Sequence, residues 1–256
     1  MATGSPASGL TSEQYQEAFN DYVGNHGMQL IDVSAYGTSV PLYAALWVKT
    51  ATSPAWQARH GLTAADYQTT FNQLTSQGYY PVLVNGYATA GGPRFTCIFH
   101  QGAADPWIAR HGLTSAQYQA AFNQFVGEGY LLDWVSGYFD GTQDLYAAIW
   151  RKPSSAPAWQ ARHGLTSAQY QATFDQLVAQ GFKPVVVCGY SDGAQDLYAA
   201  IFRQLPGVPA WQARHGLTSA QYQAAFDQLV AEGYRLELVN GYSVAGQDRF
   251  AAIWTK

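Results

Sequence analysis

The sequence predicts an α+β protein in which five tandem helix–strand–strand repeats form one pseudo-fivefold ring or barrel-like domain. Three observations support this fold class. The motif Trp-x-Ala-Arg-His-Gly-Leu-Thr occurs four times at intervals of about 52 residues, which is typical of a tandem-repeat architecture. Each copy precedes a segment with helical periodicity, and that segment precedes two short apolar segments spaced like a hairpin. The copies lie at residues 56–63, 107–114, 159–166 and 211–218.

Five units account for the chain from residue 9 onward. Aligning the Gly-Leu-Thr part of the motif leaves residues 1–8, rich in Gly, Ser, Pro and Ala, as a flexible leader. The first unit lacks the Trp-x-Ala-Arg-His residues, because its Leu10 and Thr11 follow directly on Ser8 and Gly9. One helix and one hairpin cannot bury their apolar faces alone, so we expect the units to stack into a single repeat domain. Their expected boundaries are 9–53, 54–104, 105–156, 157–208 and 209–256.

Each unit is predicted to begin with a helix of about 14 residues. In the third unit, Tyr118, Phe122 and Phe125 fall on one apolar face at helical period. Thr114 is the expected N-cap, and Gln117 completes a capping box with it. The same pattern recurs as Thr11/Gln14, Thr166/Gln169 and Thr218/Gln221, with Thr63 and Asp66 in the second unit. Glycines at 27, 78, 129, 181 and 233 are predicted to end the helices in the left-handed conformation.

Two short strands are predicted after each helix. The first carries a valine and ends in Gly-Tyr or Ala-Tyr, and the second resembles residues 145–150, Leu-Tyr-Ala-Ala-Ile-Trp. We expect the ten strands to join edge to edge into a curved sheet with the helices outside, because closing the sheet would hide its edges. A five-bladed β-propeller is the alternative, although a propeller blade has four strands. Trp47, Trp150 and Trp254 are expected in the core.

Composition excludes several classes of function. Only 12% of residues are charged, the formal net charge is −4, and the chain has four lysines, so binding to nucleic acid is not expected. No apolar run reaches the length of a transmembrane helix, about 18 residues, and the N-terminus does not resemble a signal peptide. Cys97 and Cys188 fall in different units and are interpreted as small buried side chains.

The sequence contains no pattern that predicts catalysis. The motifs H-E-x-x-H and S-x-x-K and the phosphate-binding P-loop are absent, and the G-x-S-x-G match at residues 189–193 runs into a predicted hairpin turn instead of a strand-to-helix turn. Each copy of the repeat motif offers one histidine without a second ligand at zinc spacing. We therefore expect neither an enzyme nor a metal ion or other cofactor.

The repeated residues resemble a bacterial tandem-repeat family. They comprise the eight-residue motif, Tyr-Gln-x-x-Phe on the helix, Gly-Tyr after the first strand and Tyr/Phe-Ala-Ala-Ile-Trp on the second. A similar module forms the N-terminal domain of secreted serine hydrolases of the polyglycine hydrolase type, ahead of a β-lactamase-like catalytic domain. The resemblance covers residues 9–256 and implies a secreted, non-catalytic module that binds a polymer or a glycan.

Ligand-binding residues are predicted at the hairpin tips. Units three to five carry a Gln-Asp pair there, whereas units one and two have Val40-Pro41 and Gly92-Pro93 instead. Carboxylate and amide groups bond sugar hydroxyls, and a nearby tyrosine ring offers a face for the apolar side of a sugar. The alternative is that these aspartates hold the turns or pair with motif arginines. The predicted residues are Gln143, Asp144, Gln195, Asp196, Gln247 and Asp248, with Tyr138, Tyr190 and Tyr242.

The arginine and histidine of each motif are secondary candidates. A structural role is favoured, in which both side chains bond loop carbonyls and anchor one repeat to the next, because an unpaired semi-buried charge is costly. The alternative is that they donate hydrogen bonds to a ligand. The residues are Arg59, His60, Arg110, His111, Arg162, His163, Arg214 and His215.

These residues favour a multivalent binding module over an enzyme. Low charge, abundant Tyr, Trp, Gln and Asp, and repeated polar-aromatic loops are typical of a lectin-like protein that binds extracellular carbohydrate or glycoconjugates. Repetition raises apparent affinity by linking weak sites. The alternative is a scaffold that binds extracellular protein or cell-wall peptide. Secretion is expected from the family resemblance alone.

Overall fold

The computed structural model describes residues 4–37 and 39–256. Each unit contains three strands and one helix, in the order outer strand, helix, inner strand, middle strand. The outer strands are β1 (Gly4–Leu10), β4 (Trp56–Leu62), β7 (Trp107–Thr114), β10 (Trp159–Thr166) and β13 (Trp211–Leu217). The helices are α1 (Ser12–Asn20), which continues as a π-helical turn over Asp21–Asn25, α2 (Ala64–Ser76), α3 (Ser115–Gly127), α4 (Ser167–Ala179) and α5 (Ser219–Ala231).

The inner and middle strands form the predicted hairpins. The inner strands are β2 (Gln29–Tyr36), β5 (Tyr79–Tyr87), β8 (Leu131–Phe139), β11 (Lys183–Ser191) and β14 (Arg235–Val244). The middle strands are β3 (Leu42–Val48), β6 (Arg94–Gln101), β9 (Asp144–Arg151), β12 (Asp196–Arg203) and β15 (Gln247–Thr255). In every unit the middle strand pairs antiparallel with both of the others, so each sheet has the order outer–middle–inner.

The motif itself is a strand, which the sequence analysis missed. Residues 159–166 pair with β12, with Arg162 opposite Ala200 and Leu165 opposite Tyr198. The register shift between these pairs is a bulge at His163 and Gly164, and Gly164 has φ of 64°. The repeat is therefore strand–helix–strand–strand rather than helix–strand–strand.

The N-terminal residues also differ from expectation. Residues 4–8, predicted as part of a flexible leader, belong to β1, in which Ala7 pairs with Ala45 of β3. The prediction of a leader is wrong for these residues because β3 needs an outer neighbour, as every other middle strand has. The rest of that prediction, residues 1–3, lies outside the described residues.

The α+β class and the pseudo-fivefold arrangement are confirmed. Each inner strand contacts the inner strands of both neighbouring units, and β14 contacts β2, so the last unit meets the first. The five sheets remain separate, and neither a continuous ten-stranded sheet nor a closed barrel forms. The arrangement resembles a propeller, but each unit has three strands and a helix instead of four strands. No helix of the described residues is long and apolar enough to cross a membrane.

The helix boundaries agree with the sequence signals. The threonines at 11, 63, 114, 166 and 218 are N-caps, and the four predicted Thr/Gln capping boxes are present. The glycines at 27, 78, 129, 181 and 233 all have positive φ. Trp47, Trp150 and Trp254 are fully buried, and both cysteines are buried free thiols, as expected.

The Gly-Tyr sequence in β5, β8, β11 and β14 interlocks neighbouring units. A Cβ placed on Gly189 would lie 2.3 Å from the ring of Tyr242 in the next unit, which is too close for any side chain. Gly241 relates in the same way to Tyr36, which joins the last unit to the first. Glycine is therefore required here because of a close approach between units, not because of its backbone conformation.

Candidate functional site

The repeat motif lies at the joint between consecutive units. His163 of the fourth unit packs edge-on against Tyr118 and Tyr146 of the third, with ring centroids 4.6 and 5.2 Å apart. Its Nε2 lies 3.3 Å from the hydroxyl of Ser115. Trp159 packs against Phe122 of helix α3, 5.8 Å away. The motif histidine and tryptophan thus attach one unit to the helix of the preceding unit.

The same contacts recur at all four joints between consecutive units. His60, His111 and His215 each pack on the helix tyrosine and the middle-strand Tyr or Phe of the preceding unit. Burial lowers the pKa of all four histidines, so they are held in the neutral form. The histidines therefore anchor one repeat to the next, as expected, but they do so through aromatic contacts and, at three joints, a serine hydroxyl instead of loop carbonyls.

The motif arginines differ from this expectation because they do not connect units. Arg162 Nη1 donates 2.7 Å to the carbonyl of Ala161 and 3.1 Å to Gln160 Oε1, both on its own strand. Arg59 and Arg214 make the same two contacts, and Arg110 keeps the carbonyl contact. All four are exposed, and none forms an ion pair with the described residues. Each guanidinium is therefore oriented by its own strand while its Nε and Nη2 have no partner in the described chain.

Three other cations, Arg151, Lys183 and Arg203, form ion pairs, unlike the motif arginines. Asp133 accepts 2.6 Å from Arg151 Nε and 2.7 Å from Arg203 Nη2. Lys183 lies 2.6 Å from Glu237. The Asp133–Arg203 and Lys183–Glu237 pairs link different units, whereas the Asp133–Arg151 pair lies within the third unit. The charged groups that hold the ring together are thus distinct from those of the motif.

A groove runs along the first, second and fourth of these joints, and we call it the joint groove. At the second joint it is lined by Tyr67, Phe71, Trp107, Arg110 and His111, together with Gln68 and residues 108–109. The grooves at the first, second and fourth joints have volumes of about 980, 380 and 490 Å³. The third joint has the same aromatic contacts. No carboxylate lines any of these three grooves in the described chain.

A family model for the polyglycine hydrolase-like structural repeat matches residues 7–50, 53–102, 104–153, 156–205 and 208–256. The chain belongs to this family. The five matches confirm five tandem repeats of about 50 residues and the family resemblance given by the motif. No curated protein sequence matches the chain.

The tyrosines predicted to stack on sugars are buried between polyglycine hydrolase-like repeats. Tyr138, Tyr190 and Tyr242 are 2%, 3% and 4% exposed, because each packs over the glycine of the preceding repeat. Tyr190 and Tyr146 share a hydrogen bond, and Tyr242 bonds Tyr198 in the same way. The prediction of an open ring face at these residues is wrong, since the repeat uses them to join units.

The Gln-Asp pairs lie at the hairpin tips but are not brought together with an open aromatic ring. Asp196 Oδ2 accepts from the hydroxyls of Tyr198 and Tyr242 at 3.2 and 3.3 Å. Asp248 accepts from Ser243, whereas one oxygen of the half-buried Asp144 has no partner in the described chain. Burial raises the pKa of Asp144. Gln143, Gln195 and Gln247 are exposed.

The helix contribution to the joint grooves was missed from sequence. Gln16, Gln68 and Gln171 each line a groove beside the helix tyrosine. The signal is Tyr-Gln-x-x-Phe, which is present on every helix and which, from sequence, supports the apolar helix face and the family resemblance. Among the described residues, no group of three or more His, Cys, Asp or Glu side chains is placed to hold a metal ion.

Proposed function

We propose that this protein is a secreted, non-catalytic, multivalent module that binds carbohydrate at the four joints that carry the Trp-x-Ala-Arg-His motif. The observation that carries the proposal is the repeated exposed arginine, which has no carboxylate partner and lies beside a half-exposed tryptophan. The fifth repeat meets the first without a Trp-x-Ala-Arg-His motif, so four sites are expected instead of five.

The chemistry of the groove favours sugars that carry a carboxylate. A guanidinium presents a planar fork of donors that fits a carboxylate, and charge-assisted hydrogen bonds of this kind are about twice as strong as neutral ones. The groove glutamines offer further donors and acceptors for hydroxyl groups. The tryptophan ring supplies apolar surface for the C–H face of a sugar. Uronic acid polymers combine all three features.

The spacing of the grooves suits a polymer with repeated acidic groups. Each groove presents one arginine, and a single weak site would hold a sugar only briefly. Linking sites around one rigid ring raises apparent affinity by about 10²–10⁴, provided that one polymer reaches two grooves. Binding is expected to weaken with salt, because the exposed arginines are screened.

Calorimetry with a tetragalacturonate and with a neutral tetrasaccharide tests the proposal. We expect the acidic sugar to bind at four sites per chain and the neutral sugar to bind more weakly. Arg59→Gln, Arg110→Gln, Arg162→Gln and Arg214→Gln should each weaken one site about tenfold or more, the loss of a charge-assisted hydrogen bond. Arg235→Gln is the matched control, because Arg235 is exposed but lies outside the grooves.

The outcome distinguishes the two functions considered. If the quadruple arginine variant binds the acidic sugar as well as the unaltered protein does, the grooves are not the sites. If no sugar binds but cell-wall peptides do, the module is a peptide-binding scaffold instead. Thermal unfolding of each variant should match that of the unaltered protein, because substitutions of exposed side chains usually change stability by less than about 0.5 kcal/mol.

A further inference from the structure

A separate cavity of about 290 Å³ lies on the axis of the ring. All five units line it, at the end of the ring where the inner strands finish. Its size is near the lower limit of small-molecule sites, about 300–1,000 Å³. It is distinct from the joint grooves, which share none of its lining residues.

The cavity wall carries no charged side chain. It consists of tyrosine, phenylalanine, alanine and glycine, with two asparagines and two serines. An ionic ligand would lose its hydration there without gaining a partner, which is costly. The chemistry of the wall therefore selects an uncharged ligand.

Nearly all polar side-chain groups in the wall are already engaged within the protein. Asn85 bonds Ser136 and the carbonyl of Val33. Ser191 accepts from the amide of Gly193, and Ser243 accepts from that of Gly37. The five tyrosine hydroxyls also have partners: Gly9 for Tyr36, Tyr43 for Tyr87, Gly112 for Tyr138, Tyr146 for Tyr190 and Tyr198 for Tyr242.

Asn240 is the exception. Its Oδ1 accepts from the amide of Gly189 at 2.7 Å, whereas its Nδ2 has no partner among residues 4–37 and 39–256. The side chain lines the cavity although the residue is only 5% exposed. Because Asn240 lines the cavity, a ligand or water in the cavity can accept a hydrogen bond from this amide donor.

We propose that the axial cavity binds one small, uncharged aromatic molecule that carries a hydrogen-bond acceptor for Asn240 Nδ2. The tyrosine and phenylalanine carbons enclose the ring, since aromatic groups pack favourably edge to face. A monosaccharide fits less well because most of its hydroxyl groups would find no free partner in this wall. The site is independent of the carbohydrate sites proposed above.

Three probes of similar shape test the chemical class. Benzamide is uncharged and has an amide acceptor, benzoate is its charged analogue, and toluene has no acceptor. Ligand-observed NMR titration should give one benzamide site per chain with a dissociation constant on the order of 1 mM, because so small a ligand makes few contacts. Benzoate and glucose should bind at least about tenfold more weakly, because the wall offers neither a cation nor free hydroxyl partners.

Two variants locate the site. In each of them the new residue is one that another unit already has at the equivalent position. Ala88→Phe fills the cavity with a side chain that the third unit already has at the equivalent position, Phe139, and should abolish benzamide binding. Asn240→Ser retains an acceptor for Gly189, because Ser34 and Ser136 accept the equivalent amides of Gly241 and Gly86. This variant should weaken benzamide about three- to tenfold, the effect of one neutral hydrogen bond, and leave toluene unchanged.

The amide resonance of Gly189 should shift when benzamide is added and should not shift with benzoate. The proposal is overturned if benzoate binds as tightly as benzamide, or if Ala88→Phe binds benzamide normally. It is also overturned if Asn240→Ser weakens toluene as much as benzamide, because the donor would then have no specific role. The quadruple arginine variant of the joint grooves should bind benzamide normally, so failure of one proposal leaves the other testable.

Discussion

The four joints between consecutive units and the joint that closes the ring are built differently. At each consecutive joint, a histidine and a tryptophan from the outer strand pack on the helix of the preceding unit. At the closing joint, the strand register places Ser8 where the other units have histidine. Inner-strand hydrogen bonds are present there: Asp32 accepts from the amide of Val239, and Ser34 accepts from that of Gly241, as Ser136 and Asn240 accept from the equivalent amides at two consecutive joints.

This difference distinguishes the contacts that stack the inner strands of neighbouring units from the contacts that hold an outer strand against the preceding helix. The interlock of tyrosine over glycine occurs at Gly86, Gly137, Gly189 and Gly241, so it serves the closing joint as well as three consecutive joints. Among the described residues, the closing joint has no aromatic contact equivalent to those of the motif histidines. Inner-strand contacts therefore suffice to bring two units together. The motif adds stability between the outer strand and the preceding helix, and it forms the joint grooves.

The largest effect is expected from breaking the interlock. Gly189→Ala and Gly241→Ala each place a Cβ 2.3 Å from a tyrosine ring, and overpacking of this kind costs about 1–3 kcal/mol of unfolding free energy. Gly241→Ala should also increase hydrogen exchange in β2 and β14, because no chain connection holds that joint. Urea denaturation and hydrogen exchange measure both effects. The control is Ala35→Gly, since Ala35 already occupies the equivalent position in the first unit; wild-type stability in both alanine variants would contradict the interlock.

Exchanging histidine and serine at the equivalent position of the outer strands should make one kind of joint resemble the other. His163→Ser removes the ring that packs between Tyr118 and Tyr146 and should destabilise the protein by about 1–2 kcal/mol. Ser8→His supplies the missing ring at the closing joint and should stabilise it by about 1 kcal/mol or less. Thermal unfolding tests the pair, with Ser8→Ala as control. Destabilisation by Ser8→His would mean that the closing joint has no room for the contact.

The two kinds of joint should respond to pH in opposite directions. Burial lowers the pKa of the joint histidines, so their contribution to stability is present above the unfolded value and is lost as pH falls below it. Burial raises the pKa of Asp32 from 3.8 to about 7, so its contribution is present at low pH and is lost as pH rises through 7. The two contributions to the pH dependence of stability therefore oppose each other.

The variant Asp32→Asn separates the pH dependence contributed by Asp32 from that contributed by the joint histidines. We expect this variant to lose stability more steeply than the unaltered protein between pH 7.5 and pH 5, because the compensating protonation is gone. Urea denaturation at several pH values measures the slope. An unchanged slope would show that Asp32 titrates in the folded protein as it does in the unfolded chain.

The smallest effects are expected at the hairpin tips. Asp196 accepts from two buried tyrosine hydroxyls at a consecutive joint, so Asp196→Asn should cost about 0.5–1.5 kcal/mol. Asp248, near the closing joint, accepts from Ser243, and Asp248→Asn should cost less. Neither variant should alter sugar binding in the grooves, as calorimetry can establish. Loss of sugar sites in these variants would show that the residues at the hairpin tips bind the sugar.

The local signals in the sequence were sufficient for the helices and hairpins. Thr114 with Gln117 at the start of a helix and Gly129 after its end are read from adjacent residues, and both have the expected roles. The outer strand was missed because its residues neither alternate nor form an apolar run. It pairs on one side only, and its glycine forms a bulge, so it lacks the ordinary signature of a strand.

The candidate sites depended on contacts between units and could not be predicted in the same way. Tyr190 looks like an exposed loop aromatic in sequence, and its burial depends on Gly137 in the preceding unit. Likewise, the motif arginine and histidine are adjacent residues, yet the bulge sends one to solvent and the other into the joint. Only the closed ring brings Ala88 and Asn240 to the same cavity.

The absence of a shared strand at the closing joint has a consequence for assembly. Every sheet is made from one unit, so the surface that unit five offers to unit one is available in the same form to unit one of a second chain. Such head-to-tail contacts generate larger rings or open filaments. Within one chain, the intervening units hold the facing surfaces of unit one and unit five at an effective concentration on the order of 1 mM. Closure of the ring is therefore favoured in dilute solution. Protein concentration, and not a change in the repeat, would select between a discrete ring and a polymer.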